Sequence, residues 1–285
     1  MDENGNERPS RRVSVPWVVS APARNERLVM MTAYDFSQAR LVDAAGVDIT
    51  LVGDSLAMVA LGHDDTLSVT MDEMLHHVRA VRRGMQRALL VADMPYGSFH
   101  LGPTQAVENA LRFVKEAGAQ AVKIEGARPE ILRALVDAEV PVMAHLGLTP
   151  QSIHRFGGFR VQGRGRQARN AVLEAADQLQ EAGAFALVLE CVPADLAAEV
   201  TDALEIPTIG IGAGPECNGQ VLVIHDLLGL EERLAPRFVR RYADLGEQAR
   251  TAISRFAADV RDGRFPTDKE SYDDPSQERL RKIYG

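Results

Sequence analysis

Ile49-Thr50-Leu51-Val52-Gly53-Asp54-Ser55 is the stretch on which the reading of this chain turns. A short apolar run, of the kind that forms a fully buried parallel strand, stops abruptly on Gly-Asp-Ser. A carboxylate and a hydroxyl are left where the strand leaves the core. The pattern recurs: Leu89-Leu90-Val91-Ala92 ends on Asp93, Ala121-Val122-Lys123-Ile124 on Glu125, and Leu187-Val188-Leu189 on Glu190. A fifth apolar run, Val140 to Ala144, ends on His145. Parallel strands of one sheet finish on the same side, so these side chains are expected to converge on one spot.

Outward from that stretch, the chain alternates strands and helices. Strands are expected at 28–32, 47–52, 88–92, 119–124, 140–144, 184–189, 207–211 and 221–224. Helices are expected at 36–45, 70–83, 104–117, 129–137, 167–182 and 193–204, with a C-terminal helical region at 236–260. Thr70 with Glu73 three residues on makes a capping box, and Gly46, Gly84, Gly118 and Gly183 are helix stops. Residues 56–65 form a long excursion. The Gly- and Arg-rich segment 146–165 is too long for a plain loop in a compact domain. Eight such units predict an α/β protein, a single (β/α)8 TIM barrel over 13–272. A doubly wound sheet would focus the acids on one crevice, whereas here they lie on strands two, three, four and six, around a ring. Residues 1–12 are polar and expected to be disordered, and 273–285 form a charged, loosely attached tail.

Hydrophobic residues make up 46% and charged residues 25% of the 285, as in an ordinary globule. A formal net charge of −8 argues against nucleic acid or an anionic membrane as partner. No signal-type leader and no long apolar run is present, so the expected location is cytoplasmic. Cys191 and Cys217 lack metal-type spacing and are read as reduced packing thiols.

Asp54, Asp93 and Glu125 close three consecutive strands. One such acid would be read as a helix cap or an arginine partner. Three facing one another repel unless a cation shares the site, and oxygen ligands of this kind suit Mg²⁺. Lys123, two residues before Glu125, shares its face and is placed to neutralise a substrate carboxylate or one of the acids. His145 ends a strand at the same rim, and Ser55 is positioned to donate to a substrate oxygen or to cap a helix. Gly210-Ile211-Gly212-Ala213-Gly214 lacks the dinucleotide spacing and is read as close backbone approach to a ligand, or as turn geometry. Arg160, Arg164 and Arg166 are expected to line a subunit contact or the mouth of an anion site.

Ordered motifs now carry a family resemblance. Val52-Gly53-Asp54-Ser55, Gly62-His63-Asp64, Ala92-Asp93-Met94-Pro95, Val122-Lys123-Ile124-Glu125-Gly126 and His145-Leu146-Gly147-Leu148-Thr149-Pro150-Gln151-Ser152 resemble the ketopantoate hydroxymethyltransferase family. So do Gly157-Gly158-Phe159, Leu189-Glu190-Cys191-Val192-Pro193, Ile209 to Gly214 and Pro236-Arg237-Phe238-Val239-Arg240, collinear from about 13 to 272. Asn218 departs from the acid expected there, away from the metal cluster. The resemblance implies Mg²⁺-dependent transfer of a one-carbon unit from 5,10-methylenetetrahydrofolate to 3-methyl-2-oxobutanoate, giving 2-dehydropantoate for pantothenate synthesis through a Mg²⁺-stabilised enolate. It implies Asp54, Asp93 and Glu125 as metal ligands, Asp54, Ser55, Asp93 and Lys123 as oxoacid contacts, Glu190 as general base, and a homodecamer. The competing reading is a lyase or mutase of the phosphoenolpyruvate-mutase type on the same barrel, against which the Lys-Lys-Cys-Gly-His stretch of its lyase branch is missing. A non-enzymatic binding protein would be expected to lose at least one rim acid.

Overall fold

The computed structural model describes residues 12–231, 233 and 236–272, so the expectations for the two ends, 1–11 and 273–285, lie outside the described residues. Eight strands pair in parallel: β1 (Leu28–Thr32), β2 (Ile49–Val52), β3 (Leu89–Asp93), β4 (Ala121–Glu125), β5 (Val142–Gly147), β6 (Ala186–Glu190), β7 (Thr208–Ile211) and β8 (Gly219–Leu222). They follow sequence order, and β8 pairs back onto β1 to close a (β/α)8 barrel. The doubly wound alternative is excluded by that closure.

Alternation sorts the side chains into two apolar layers. Met30, Ile49, Leu51, Leu89, Val91, Ala121, Met143, Val188 and Ile209 fill the barrel interior. Leu90, Ala92, Val122, Ile124, Leu187 and Leu189 face outward into the layer shared with the surrounding helices. The inward positions continue upward as Asp93, Lys123, Glu125 and His145. Register places Asp93 beside Lys123 and Glu125 beside His145.

Several strands begin later than expected. β4, β5 and β6 each start two residues on, after Ala119-Gln120, Val140-Pro141 and Ala184-Phe185. Pro141, for one, has no N–H to give a ladder. The consequence is functional: Asp93, Glu125, His145 and Glu190 belong to the strands, not to the loops after them.

The capping box at Thr70 and Glu73 forms in both directions. Residues 13–26, expected only as an approach to the core, contain a helix, Val15–Val19. Val13, Val18 and Ala21 join the interior cluster, so this segment closes the bottom of the barrel. The expected helical region 236–260 is corrected: residues 236–244 form turns, and the helix is Leu245–Arg261. The expected eighth strand over 221–224 is likewise corrected to Gly219–Leu222, followed by a helix at Ile224–Leu228 whose first N–H donates to Thr32 Oγ1 at 2.9 Å. Segment 146–165 carries a 3-10 turn, Pro150–Ser152, and a short helix, Ile153–Phe156.

Candidate active site

At the upper end of the barrel, β2 delivers Asp54 and Ser55 through Gly53, β3 delivers Asp93, and β4 delivers Lys123 and Glu125. β5 adds His145 and β6 adds Glu190. All seven side chains named from the sequence line one cavity of about 530 Å³. Asp54, Asp93, Lys123, Glu125 and His145 are all nearly completely buried.

Lys123 Nζ lies 2.8 Å from Asp93 Oδ1 and 3.8 Å from Glu125 Oε1, so it neutralises the acids of its own layer. The Asp54 backbone N–H donates to Asp93 Oδ2 at 3.2 Å. His145 sits between two carboxylates, with Nδ1 3.4 Å from Glu125 Oε1 and Nε2 3.3 Å from Glu190 Oε2. Burial and the Lys123 ammonium oppose charge on that imidazole. Glu125 and Glu190 outweigh both and hold it up to about 9, while Nδ1 also lies 3.2 Å from Lys123 Nζ.

The three strand-end acids do not behave alike. Burial, then the charges of Asp93 and Glu125, push Asp54 well above the usual carboxylate range. Asp93 is also raised, chiefly by burial, against the pull of Lys123. Burial works the same way on Glu125, but His145, Lys123 and the Gln151 N–H overturn it, and Glu125 is lowered. Asp54 is therefore the carboxyl that favours a proton, or a cation in its place.

Sequence reading missed Gln151. The turn at Pro150 buries it, and its side-chain amide donates to Asp54 Oδ2 (2.8 Å) and the Met94 carbonyl (2.9 Å). Its backbone N–H donates to Glu125 Oε2 at 3.0 Å. Tyr34 was missed as well. It is fully buried, with its hydroxyl 2.8 Å from Ser55 Oγ, and so fixes the serine that follows Asp54. Ser55 makes no side-chain cap bond to the helix after it, which leaves it facing the cavity.

Glu190, like Ser55, is only partly buried, its side chain 17% exposed at the mouth. Two backbone features hold it. Gly147, opposite it in register, has φ +95°, and a Cβ there would collide with the Glu190 carbonyl. Cys191, immediately after, takes a left-handed conformation with φ 48° and turns the chain away. Burial, reinforced by the Glu190 charge, pushes the Cys191 thiol up to about 11, and burial raises Cys217, so neither is an activated nucleophile.

Higher up, Met58, Val59, Phe159, Val161 and Phe238 form apolar walls, with Arg160, Asp226 and Arg237 among them. Of the three arginines singled out in the sequence, Arg160 lines the cavity, and Arg164 and Arg166 do not. The glycine loop after β7 makes its close approaches to the protein itself. Gly212 lies against the Phe238 ring and Gly214 against Ala194, and Ile211, just before them, lines the cavity. Asn218 ties Thr208 at the opposite, N-terminal end of the barrel, with its side-chain oxygen accepting from the Thr208 N–H at 2.9 Å.

An all-oxygen donor set with excess negative charge fits a hard divalent cation. Among the described residues, no group of three His, Cys, Asp or Glu side chains is placed to hold one by itself. Glu125 Oε1 faces His145 and its Oε2 accepts the Gln151 N–H; Asp93 Oδ1 faces Lys123 and its Oδ2 the Asp54 N–H, while Asp54 Oδ2 accepts from the Gln151 amide. Among the described residues no helix is long and apolar enough to cross a membrane.

A sequence model described as ketopantoate hydroxymethyltransferase matches residues 12–268. The 3-methyl-2-oxobutanoate hydroxymethyltransferase of Pelobacter propionicus is 53% identical over 264 residues, covering 92% of this chain and 98% of the relative. The enzyme of the same name from Nitratidesulfovibrio vulgaris is 57% identical over 249 residues, 87% of this chain and 81% of its own. Among solved structures, 2,3-dimethylmalate lyase, of the PEP mutase/isocitrate lyase superfamily, superposes with a TM-score of 0.57 at 17% identity, covering 94% of this chain and 97% of that one. Phosphonopyruvate hydrolase in complex with oxalate and Mg²⁺ gives 0.58 at 15%, with coverages of 94% and 97%. At such identities the likeness is one of fold.

Proposed function

The chain belongs to the ketopantoate hydroxymethyltransferase family, and from that premise we propose how its site transfers a hydroxymethyl group to 3-methyl-2-oxobutanoate in pantothenate synthesis. The one-carbon donor is 5,10-methylenetetrahydrofolate and the product 2-dehydropantoate. Asp54 and Asp93, with Glu125 beside them, would hold Mg²⁺. Bound there, Mg²⁺ supplies Lewis-acid polarisation of the oxoacid keto group.

The chain's own residues do the rest. Lys123 and the Ser55 hydroxyl take the oxoacid carboxylate. Glu190, at the mouth and free of the acid cluster, removes the C3 proton. His145 orients Glu190 from the adjacent strand. The apolar walls around Met58, Val59 and Phe238 exclude water from the carbanion while the one-carbon unit arrives. The observation that carries this reading is the position of His145: one imidazole lies between the buried acid cluster and an accessible carboxylate on the adjacent strand.

We further infer a homo-oligomer, for which the family resemblance implies a decamer. The helix Leu245–Arg261 buries none of its residues. Ile253, Phe256 and Val260 form an exposed stripe along it, at 66%, 54% and 47%.

The lyase or mutase reading draws only on shared fold, since its solved representatives stand at 15–17% identity. NMR of C3 deuterium exchange on 3-methyl-2-oxobutanoate, with Mg²⁺ and without folate, tests the proposal. Exchange is expected, followed by 2-dehydropantoate once methylenetetrahydrofolate is added. Absence of exchange at saturating substrate would overturn it.

A further inference from the structure

The oxoacid occupies only the floor of the cavity, around Asp54, Asp93 and Lys123. Above it the walls are apolar and partly aromatic, and one group interrupts them. Asp226, in the short helix after β8, lines the cavity, two strands round the barrel from Glu190 on β6. It is half-buried, and no hydrogen bond or ion pair reaches its carboxylate among the described residues. The acid beside it, Glu231, is by contrast engaged by Arg233 at 2.8 Å. A carboxylate withdrawn from water without donors is costly, and the cost disappears if a ligand brings the donors.

We propose that Asp226 holds the aminopyrimidine edge of the folate co-substrate, accepting from the pterin N3–H and its 2-amino group as a planar pair. This rests on the folate reading above and deepens it. The match is one of chemistry: two parallel N–H donors against one carboxylate is the fork geometry that makes such pairs strong and directional. The pyrimidine edge and N5 belong to different rings of the bicycle. Anchoring the edge at Asp226 therefore turns N5, which bears the one-carbon unit, toward the centre of the mouth, where C3 is deprotonated. Met58, Val59 and Phe238 offer the flat apolar surfaces that a pterin ring stacks on. Arg160 and Arg237, both exposed on the rim of the same cavity, suit the carboxylates of the benzoylglutamate tail. In the free protein burial, with the Glu231 charge, pushes Asp226 up to about 6 against the pull of Arg241, as expected of an acid awaiting donors.

The test uses the full chain with Mg²⁺ and oxoacid present, titrated with tetrahydrofolate and with an analogue bearing methyl in place of the 2-amino group. Asp226→Asn is expected to weaken tetrahydrofolate binding roughly 10- to 100-fold, the scale of a charge-assisted pair. Wild type is expected to lose a similar factor on passing to the analogue, and the variant little more, because the same bond is removed twice. Unchanged tetrahydrofolate affinity in Asp226→Asn would overturn the assignment. So would C3 exchange that falls in step with folate binding, which would place Asp226 in the oxoacid half. If the variant does not fold, the wild-type comparison decides alone: equal affinity for parent and analogue overturns the assignment. Wild type that exchanges C3 but binds no tetrahydrofolate would overturn the folate reading itself.

Discussion

Glu190 can reach C3 because it is the one strand-end acid that is not consumed by its neighbours. Asp54, Asp93 and Glu125 share Lys123, Gln151 and each other. Glu190 faces only His145 among them, from the rim. Glu190→Gln keeps its shape and removes its basicity. C3 exchange and turnover are expected to fall roughly 10²- to 10⁴-fold, with Mg²⁺ and oxoacid binding near normal, as measured by NMR exchange beside calorimetry. Wild-type exchange in the folded variant would remove Glu190 from the mechanism. Asp54 predicts a proton linkage of definite sign. Burial and the charges of Asp93 and Glu125 raise it, so the folded protein binds this proton more tightly than the unfolded chain does. Stability from this group is thus present at low pH and lost as pH rises through the raised folded value. A cation at the site displaces the proton, so Mg²⁺ affinity is expected to increase with pH. Binding heats measured in two buffers of different ionisation enthalpy should differ by the released proton. Identical heats would contradict it.

At the scale of elements, β5 and β6 depend on each other through one residue. Gly147 has the positive φ that L side chains rarely adopt, and its missing Cβ leaves room for the Glu190 carbonyl, which accepts the Leu148 N–H at 2.8 Å. Gly147→Ala is expected to cost roughly 1–3 kcal/mol, the usual scale of forced backbone strain. It should depress C3 exchange far more than Mg²⁺ affinity, because Asp54 and Asp93 stand on β2 and β3. A melt beside an exchange assay checks both, and exchange unchanged from wild type would refute the coupling. The strands and long helices were legible from periods of two and 3.6, which need only a few residues of pattern. The turn Pro150–Ser152 and the helix Ile224–Leu228 were not, being too short to complete a period. Gln151, missed from the site, and Asp226 ride on those two elements.

Over the whole molecule, the apolar stripe on Leu245–Arg261 predicts association. Wild type is expected to scatter light as a large oligomer, and Phe256→Asp with Ile253→Asp should dissociate it without unfolding the barrel. A monomeric wild type at working concentrations would refute the decamer, and an undisturbed double variant would clear this helix of a role. By itself the sequence determined the parallel (β/α) units and the rim of acids, because alternation, caps and residue chemistry are local properties written along the chain. It also held the family motifs. Only the tertiary structure decided the charge states. Asp54 and Glu125 stand at the same end of β2 and β4, yet one is pushed up and the other down. The difference lies in partners brought from far along the chain, such as Gln151, 97 residues from Asp54, and His145 on the next strand. Electrostatic energy depends on distance and burial in space, and a sequence pattern records neither until the barrel has closed.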